Sequence, residues 1–374
     1  MTNSNWSQQA PQPPGNRQPA WQGGPQWQQP AQTAGWHQHG GWHQQSGWQQ
    51  PDHGWQQQGD WHQQPSGPTK GPQKKILGIL LGVCLAGLLV FVAVLLFSNR
   101  GPGYDYDDYE SPPISDTAPD KLTVPGSEEE AWEILRNNPA YAGTAPDNVD
   151  CGIGIIDHEG LSPEELEARL NEMSACLMMV WDRPMTEQGI TMFRPRVTVY
   201  TADITMACGT KPGDEPNAFY CGSDQMIYYN PLMHTHPETK FVGDTPLGVE
   251  VIMAHEFAHF LQGRSGIIAA FFWLSGPAPE DVQLEMTRRS EAQADCWSGQ
   301  WVRANIRAMG IDEAGVEKIL RLYHGIGDDS LTGDPDIVGN HGLGKTRRAW
   351  ATTGMNSADV GACNSWVAPK EKVR

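Results

Sequence analysis

Positive charge is scarce in this chain of 374 residues: 26 Lys and Arg stand against 44 Asp and Glu, a formal net charge of −18 at pH 7. After residue 97 the imbalance deepens to 22 basic against 42 acidic residues. Such a field repels phosphate and excludes nucleic acid as the main partner. Acids are almost missing from residues 1–75, where only Asp52 and Asp60 occur, and aliphatic side chains are nearly missing too. A segment without them has too little apolar surface to offset the chain entropy of ordering, so residues 1–75 are expected to be a disordered tail. From residue 76 to residue 97 charge is absent altogether. Three regimes so unlike one another exclude a simple cytosolic globular enzyme.

What the tail does contain is 8 of the 15 Trp and 20 Gln, in variations of Gly-Trp-x-Gln-Gln such as Gly41-Trp42-His43-Gln44-Gln45 and Gly54-Trp55-Gln56-Gln57. Evenly spaced Trp suits self-association or capture of a protein partner. The tail's five His are a poor metal site, because a floppy chain loses ordering entropy for every ligand it recruits. The uncharged run 76–97 is long enough to cross a hydrocarbon core of about 30 Å as one helix, and it predicts a membrane anchor. A cleaved leader would put an apolar run of about 7 to 15 residues near the terminus, whereas a polar segment of 75 residues comes first here. Leu81-Gly82-Val83-Cys84 is a poor lipid-attachment box, since Val83 is bulky for the position before the cysteine. Lys70, Lys74 and Lys75 precede the span and only Arg100 follows it before the acidic run 104–110, so the tail is expected in the cytoplasm and the bulk outside. Six of the seven Cys fall in that outer part, an even number in a compartment that permits disulfides.

Residues 98–126 are acidic and Pro-rich and predict a solvated stalk; a folded domain is expected over 127–374. Ser127-Glu128-Glu129-Glu130 and Ser162-Pro163-Glu164-Glu165 open helices with capping boxes, the second carrying a stripe of Leu166, Leu170, Met173, Leu177, Val180 and Trp181. Residues 196–201 and 225–230 predict strands, and from Leu247 the chain is mostly helical, so the fold class is α+β. Residues 247–261 are apolar around most of the helix and therefore buried, yet they include Glu250, His255, Glu256 and His259. His255-Glu256-Phe257-Ala258-His259 is an H-E-x-x-H motif: two imidazoles one helical turn apart can share one Zn²⁺, and Glu256 beside them can reach a metal-bound water as general base. Two core His with satisfied partners are the plainer reading, but two His and a Glu are a costly way to build an apolar helix.

A catalytic zinc site needs a third ligand and an open position. The metzincin pattern is excluded, because Gln262 and Ser265 stand where Gly and His would be required. Glu291-Ala292-Gln293-Ala294-Asp295 supplies two carboxylates four apart on one helix face, otherwise lined by Leu284, Ser298, Gly299 and Val302. Glu291 is therefore the expected third ligand and Asp295 the group that accepts the second N–H of a ligating His. His234 or His236 is the alternative third ligand. His341, beside Gly342, is the candidate donor to the oxyanion of a tetrahedral intermediate, its plainer reading being a loop histidine.

The first motif, followed by Glu291-Ala292-Gln293-Ala294-Asp295-Cys296-Trp297-Ser298-Gly299-Gln300-Trp301, resembles the neutral zinc metallopeptidase family of gluzincin type. The similarity runs from Ala207-Cys208-Gly209 and Phe219-Tyr220-Cys221 to His341-Gly342, Arg347 and Trp350, most of residues 190–365, and leaves out the tail and stalk. The chain departs from the family pattern at Leu343 and Gly344, where small polar residues would follow His-Gly. The resemblance implies a zincin-like fold, zinc on His255, His259 and Glu291, Glu256 as catalytic acid and base, and a Cys208–Cys221 disulfide. It also implies an edge strand ahead of the zinc helix that pairs with substrate, a role that falls to Met226–Tyr229. Of the fifteen connectivities open to six cysteines, one that pairs Cys296 with Cys363 would pin the C-terminal segment beside the site and leave Cys151 with Cys176. The expected function is zinc-dependent hydrolysis of peptide bonds in a peptide or protein substrate by a membrane-anchored hydrolase. The competing expectation is a zinc-stabilised extracytoplasmic binding module with the tail as an assembly platform; a closed set of four Cys or His would favour it.

Overall fold

Ser127 caps the first helix (α1, Glu128–Arg136) of the computed structural model, which describes residues 109–374. Its side chain accepts from the Glu130 N–H, while the Glu130 carboxylate passes over the Ser127 N–H to take that of Gly126, so half of the capping box forms. The second helix (α2, Pro163–Thr186) has both halves: Ser162 Oγ accepts from Glu165 N and Glu165 Oε2 from Ser162 N. All six residues of its apolar stripe are buried.

Ile114–Ser115 (β1) and Arg194–Pro195 (β2) pair in parallel. The principal sheet begins with Val197–Val199 (β3); a hairpin of Ile204–Met206 (β4) and Gly209–Lys211 (β5) intervenes, and Ala218–Cys221 (β6) and Met226–Tyr229 (β7) complete it in the order β3-β7-β6. β7 is thus central, parallel to β3 and antiparallel to β6, and is not the edge strand expected from its place in the sequence. All four of its residues are buried, as neighbours on either side and cover on both faces require. The edges of the sheet are β3 and β6.

Helices follow: Leu232–Thr235 (α3), Gly248–Arg264 (α4), Ile267–Ser275 (α5), Glu280–Asn305 (α6), Glu313–Gly325 (α7), Asp328–Thr332 (α8) and Gly344–Asn356 (α9). The described residues are therefore α+β and about half helical. α4 is buried along almost its whole length, as its all-round apolar sequence requires, with only His259 and Arg264 partly open. α6 and α9 touch backbone to backbone because a Cβ at Gly354 would come within 1.8 Å of Cys296 O, and one at Gly299 within 2.4 Å of Ala351 O. Disulfides join Cys151 to Cys176, Cys208 to Cys221 and Cys296 to Cys363.

Residues 109–126 are not a solvated stalk. Tyr109 donates to Asp182 Oδ2 at 3.1 Å, β1 extends β2, Asp116 pairs with Arg196, and Asp120 Oδ1 lies 2.6 Å from Arg264 Nη1 at the end of α4. Ala118 and Leu122 pack on the core and Pro125 is buried. Asp116 and Asp120, two of the acids that suggested solvation, have basic partners on the domain instead. Among the described residues no helix is long and apolar enough to cross a membrane. The tail at 1–75, the expected span at 76–97 and the stalk at 98–108 lie outside the described residues.

Candidate metal centre

α4 and α6 run antiparallel and are fastened at two levels. Ser298 Oγ donates to Val251 O at 3.2 Å, and Gln262 Nε2 donates to Ser290 O at 2.9 Å. Between these fastenings the structure brings together His255, His259 and Glu291, which the sequence separates by four and then thirty-two positions. His255 Nε2 lies 3.1 Å from Glu291 Oε2, and His259 Nε2 lies 3.4 Å from Glu291 Oε1. One ligand atom from each of the three lies within 4.8 Å of the others, and among the described residues no other group of His, Cys, Asp or Glu does so.

The other ring nitrogens decide whether this set suits a metal. His259 Nδ1 is 2.8 Å from Gln262 Oε1, an oxygen whose orientation is fixed because the same amide donates to Ser290 O and Gln293 Oε1 and accepts from Ser290 Oγ. Nδ1 of His259 must then carry the hydrogen, which leaves the Nε2 lone pair facing Glu291. His255 Nδ1 is 2.9 Å from Asp295 Oδ1, in an ion-pair contact too oblique for a straight hydrogen bond. Asp295 is in turn gripped by Arg347, whose Nε and Nη2 each donate at 2.8 Å, while its Nη1 donates to Ile326 O. Two imidazole nitrogens and a carboxylate, with acceptors behind both rings, are a donor set that fits a divalent zinc ion.

Electrostatics support the same assignment of charge. Burial disfavours ionised Glu291, yet the two His outweigh it and hold its carboxyl well below the usual range. Burial likewise opposes Asp295, and Arg347 reverses the effect. For His255 the carboxylates of Asp295 and Glu291 overcome burial and lift its pKa to about 10, so a metal must displace a proton there.

Glu256 sits apart from the donor set. Its Oε2 accepts the Tyr220 N–H of β6 at 3.0 Å, and burial pushes its pKa up. His341 stands on the loop between α8 and α9, with Nδ1 3.2 Å from Asp328 Oδ1 and its own N–H and that of Gly342 on Asp328 Oδ2. Arg288, three residues before Glu291 on α6, donates to Gly339 O at 2.8 Å and so holds this loop one helical turn from Glu291. The alternative third ligands are elsewhere: His234 Nδ1 is 2.9 Å from Tyr229 OH with its pKa pushed down to about 4 by burial, and His236 caps a turn at Glu238 N. Buried Glu250 accepts from Ile156 N at 2.6 Å, which explains that polar residue structurally.

Sequence reasoning missed what Gln262, Arg347, Asp328 and the Tyr220 N–H do at this centre. Gln262 is three residues after His259 on the same helix, so helical spacing would have found it. Arg347 lies 52 residues from Asp295 and no local pattern announces it.

The profile of the family described as "Putative neutral zinc metallopeptidase" matches residues 159–366, more than half of the chain. Uncharacterized protein YpfJ of Escherichia coli (strain K12) is 27% identical over 215 residues, which cover 55% of this chain and 74% of that protein. Uncharacterized protein Mb2605 of Mycobacterium bovis and Uncharacterized protein Rv2575 of Mycobacterium tuberculosis are each 25% identical over 193 residues, 47% of this chain and 63% of theirs. No solved structure matches.

Proposed function

The chain belongs to the neutral zinc metallopeptidase family, and from that premise we propose that it hydrolyses peptide bonds in a peptide or protein substrate with zinc held by His255, His259 and Glu291. The observation that carries this reading is the convergence of two Nε2 atoms and one carboxylate within 4.8 Å, with a second acid, Glu256, beside them but outside the set. When bound, zinc supplies a Lewis acid that polarises a carbonyl and acidifies water. Glu256 takes the proton of the attacking water and delivers it to the leaving amine nitrogen. His341, met at Nδ1 by Asp328, donates Nε2–H to the oxyanion of the tetrahedral intermediate as the imidazolium, in which both ring nitrogens carry hydrogen. Asp295 orients His255. Substrate adds to the open side of β6, the edge strand that already carries the Glu256 contact at Tyr220.

The same proposal includes a zincin-like fold for residues 127–374, a single membrane span at 76–97 with the bulk outside the cell, and a cytoplasmic Trp- and Gln-rich tail open to a protein partner; lysines before the span and three disulfides after it support this topology. The test is metal analysis and peptide-library digestion by the full-length chain. One zinc per chain is expected in the wild type, retained without turnover in Glu256→Gln and lost in Glu291→Ala. An active Glu256→Gln variant would remove the general base from the mechanism, and zinc without cleavage of any peptide would favour a binding module.

A further inference from the structure

We infer that the Cys208–Cys221 disulfide is a clamp on the catalytic geometry: by tying the β4–β5 hairpin to the end of β6, it holds the Tyr220 N–H where it positions the Glu256 carboxylate. Tyr220 and Cys221 are neighbours, so the bond acts one residue from the only hydrogen bond that the described structure gives the Glu256 side chain. That contact is buried, on the side of β6 that has no strand neighbour. β6 has a neighbour on one side alone, and Tyr220 turns its N–H away from β7 to reach Glu256. Cys221, the last residue of β6, accepts from Gln225 N at the turn into β7, so the disulfide fastens the turn end of the strand one residue from Tyr220.

What the disulfide fastens is itself moored. The base of the hairpin is closed by Gly213, whose N–H donates to Asp203 Oδ1 and whose carbonyl accepts from Asn230 Nδ2, both at 3.0 Å. Lys211 Nζ lies 5.3 Å from the centre of the Phe219 ring, on the face of β6 where Phe219 stacks on Tyr228. Cys208 stands at the hairpin's turn, so the covalent bond joins the tip of a moored hairpin to the turn end of β6. A displacement of about 1 Å in a catalytic base costs on the order of a hundredfold in rate, so holding one N–H in place matters more here than the bond's share of global stability.

The inference rests on Glu256 acting as the proton acceptor. Its test compares two pairs of substitutions in the full-length chain, Cys208→Ala/Cys221→Ala and Cys151→Ala/Cys176→Ala. The second pair opens the larger loop, 25 residues against 13, and loop entropy makes it the costlier for overall stability. Zinc content, kcat, KM and amide exchange of a peptide covering 217–221 are read for each. Loss of the 208–221 bond should keep one zinc per chain, speed exchange at Tyr220 by about tenfold or more and lower kcat by a similar factor; loss of the 151–176 bond should leave both unchanged. Unaltered exchange and kcat in the first pair, or equal changes in both, would overturn the clamp. Should the first pair not fold, the wild type decides: its Tyr220 amide must exchange as slowly as the amides of central β7, and exchange at frayed-edge rates rejects the clamp. A wild type that neither binds zinc nor cleaves peptides refutes the peptidase, while the exchange comparison still judges the clamp.

Discussion

Gln262 stands where a metzincin would need glycine, and as a mismatch it excluded one ligand set; in the structure it stands behind His259. Its Oε1, 2.8 Å from His259 Nδ1, fixes the tautomer that leaves Nε2 free, and three further hydrogen bonds with Ser290 and Gln293 hold the amide itself. The two His and Glu291 were legible in the sequence because helical geometry turns a four-residue spacing into shared direction. The acceptors behind them were legible only where they share a helix with a carboxylate partner, as Asp295 does with Glu291. Replacing Gln262 with Leu keeps the volume and deletes the acceptor. Loss of such an outer partner weakens metal binding by about ten- to a hundredfold, so Gln262→Leu should lose zinc to a competing chelator at correspondingly lower chelator concentration, with activity regained in excess zinc. Retention equal to wild type would show that Gln262 only fills space.

Helices were easier to foresee than the order of strands. Capping residues and Pro163 mark α2, and continuous apolar character marks α4 as buried, since these are local properties of the chain. Which strand is central depends on contacts between segments far apart, and β7 follows β6 by a short turn closed at Gln225, whose φ of 63° bends the chain back before α3. The same limit hid α9. Arg347 reaches from its first turn to Asp295 on α6, and the close approach allowed by Gly299 and Gly354 makes that reach possible. Both members of the pair are almost wholly shielded, Asp295 at 0% and Arg347 at 4% exposure. Removing one partner of a buried pair leaves the other uncompensated at a cost of about 3–5 kcal/mol. Arg347→Met should therefore lower the unfolding free energy by that much, seen as a lower denaturant midpoint, and release His255 from its fixed orientation. A midpoint within experimental error of wild type would mean that Asp295 is neutralised from elsewhere.

At the scale of the whole molecule, composition alone placed the start of the folded body too late. Acidic and Pro-rich residues are the signature of a solvated linker, but a linker signature cannot reveal partners on a distant surface. Arg196, Arg264 and Gln225 provide them: Arg264 bonds Asp120, the Gln225 side chain and the Thr191 carbonyl together, and Gln225 Nε2 donates to Asp120 O at 2.6 Å. The segment 109–126 thus closes over the end of the helix that carries the H-E-x-x-H motif and over the turn between β6 and β7. It lies before residue 159, where the family match begins. Exposed ion pairs contribute little each and hydrogen bonds roughly 1 kcal/mol, so the strap as a whole should contribute about 2–4 kcal/mol. A chain beginning at Ser127 should unfold at correspondingly lower denaturant than one beginning at residue 98, with Asp120→Ala in the longer chain falling between them. Equal midpoints for the two chains would return residues 109–126 to the role of a linker, because a segment that contributes no stability is not held by the contacts it makes.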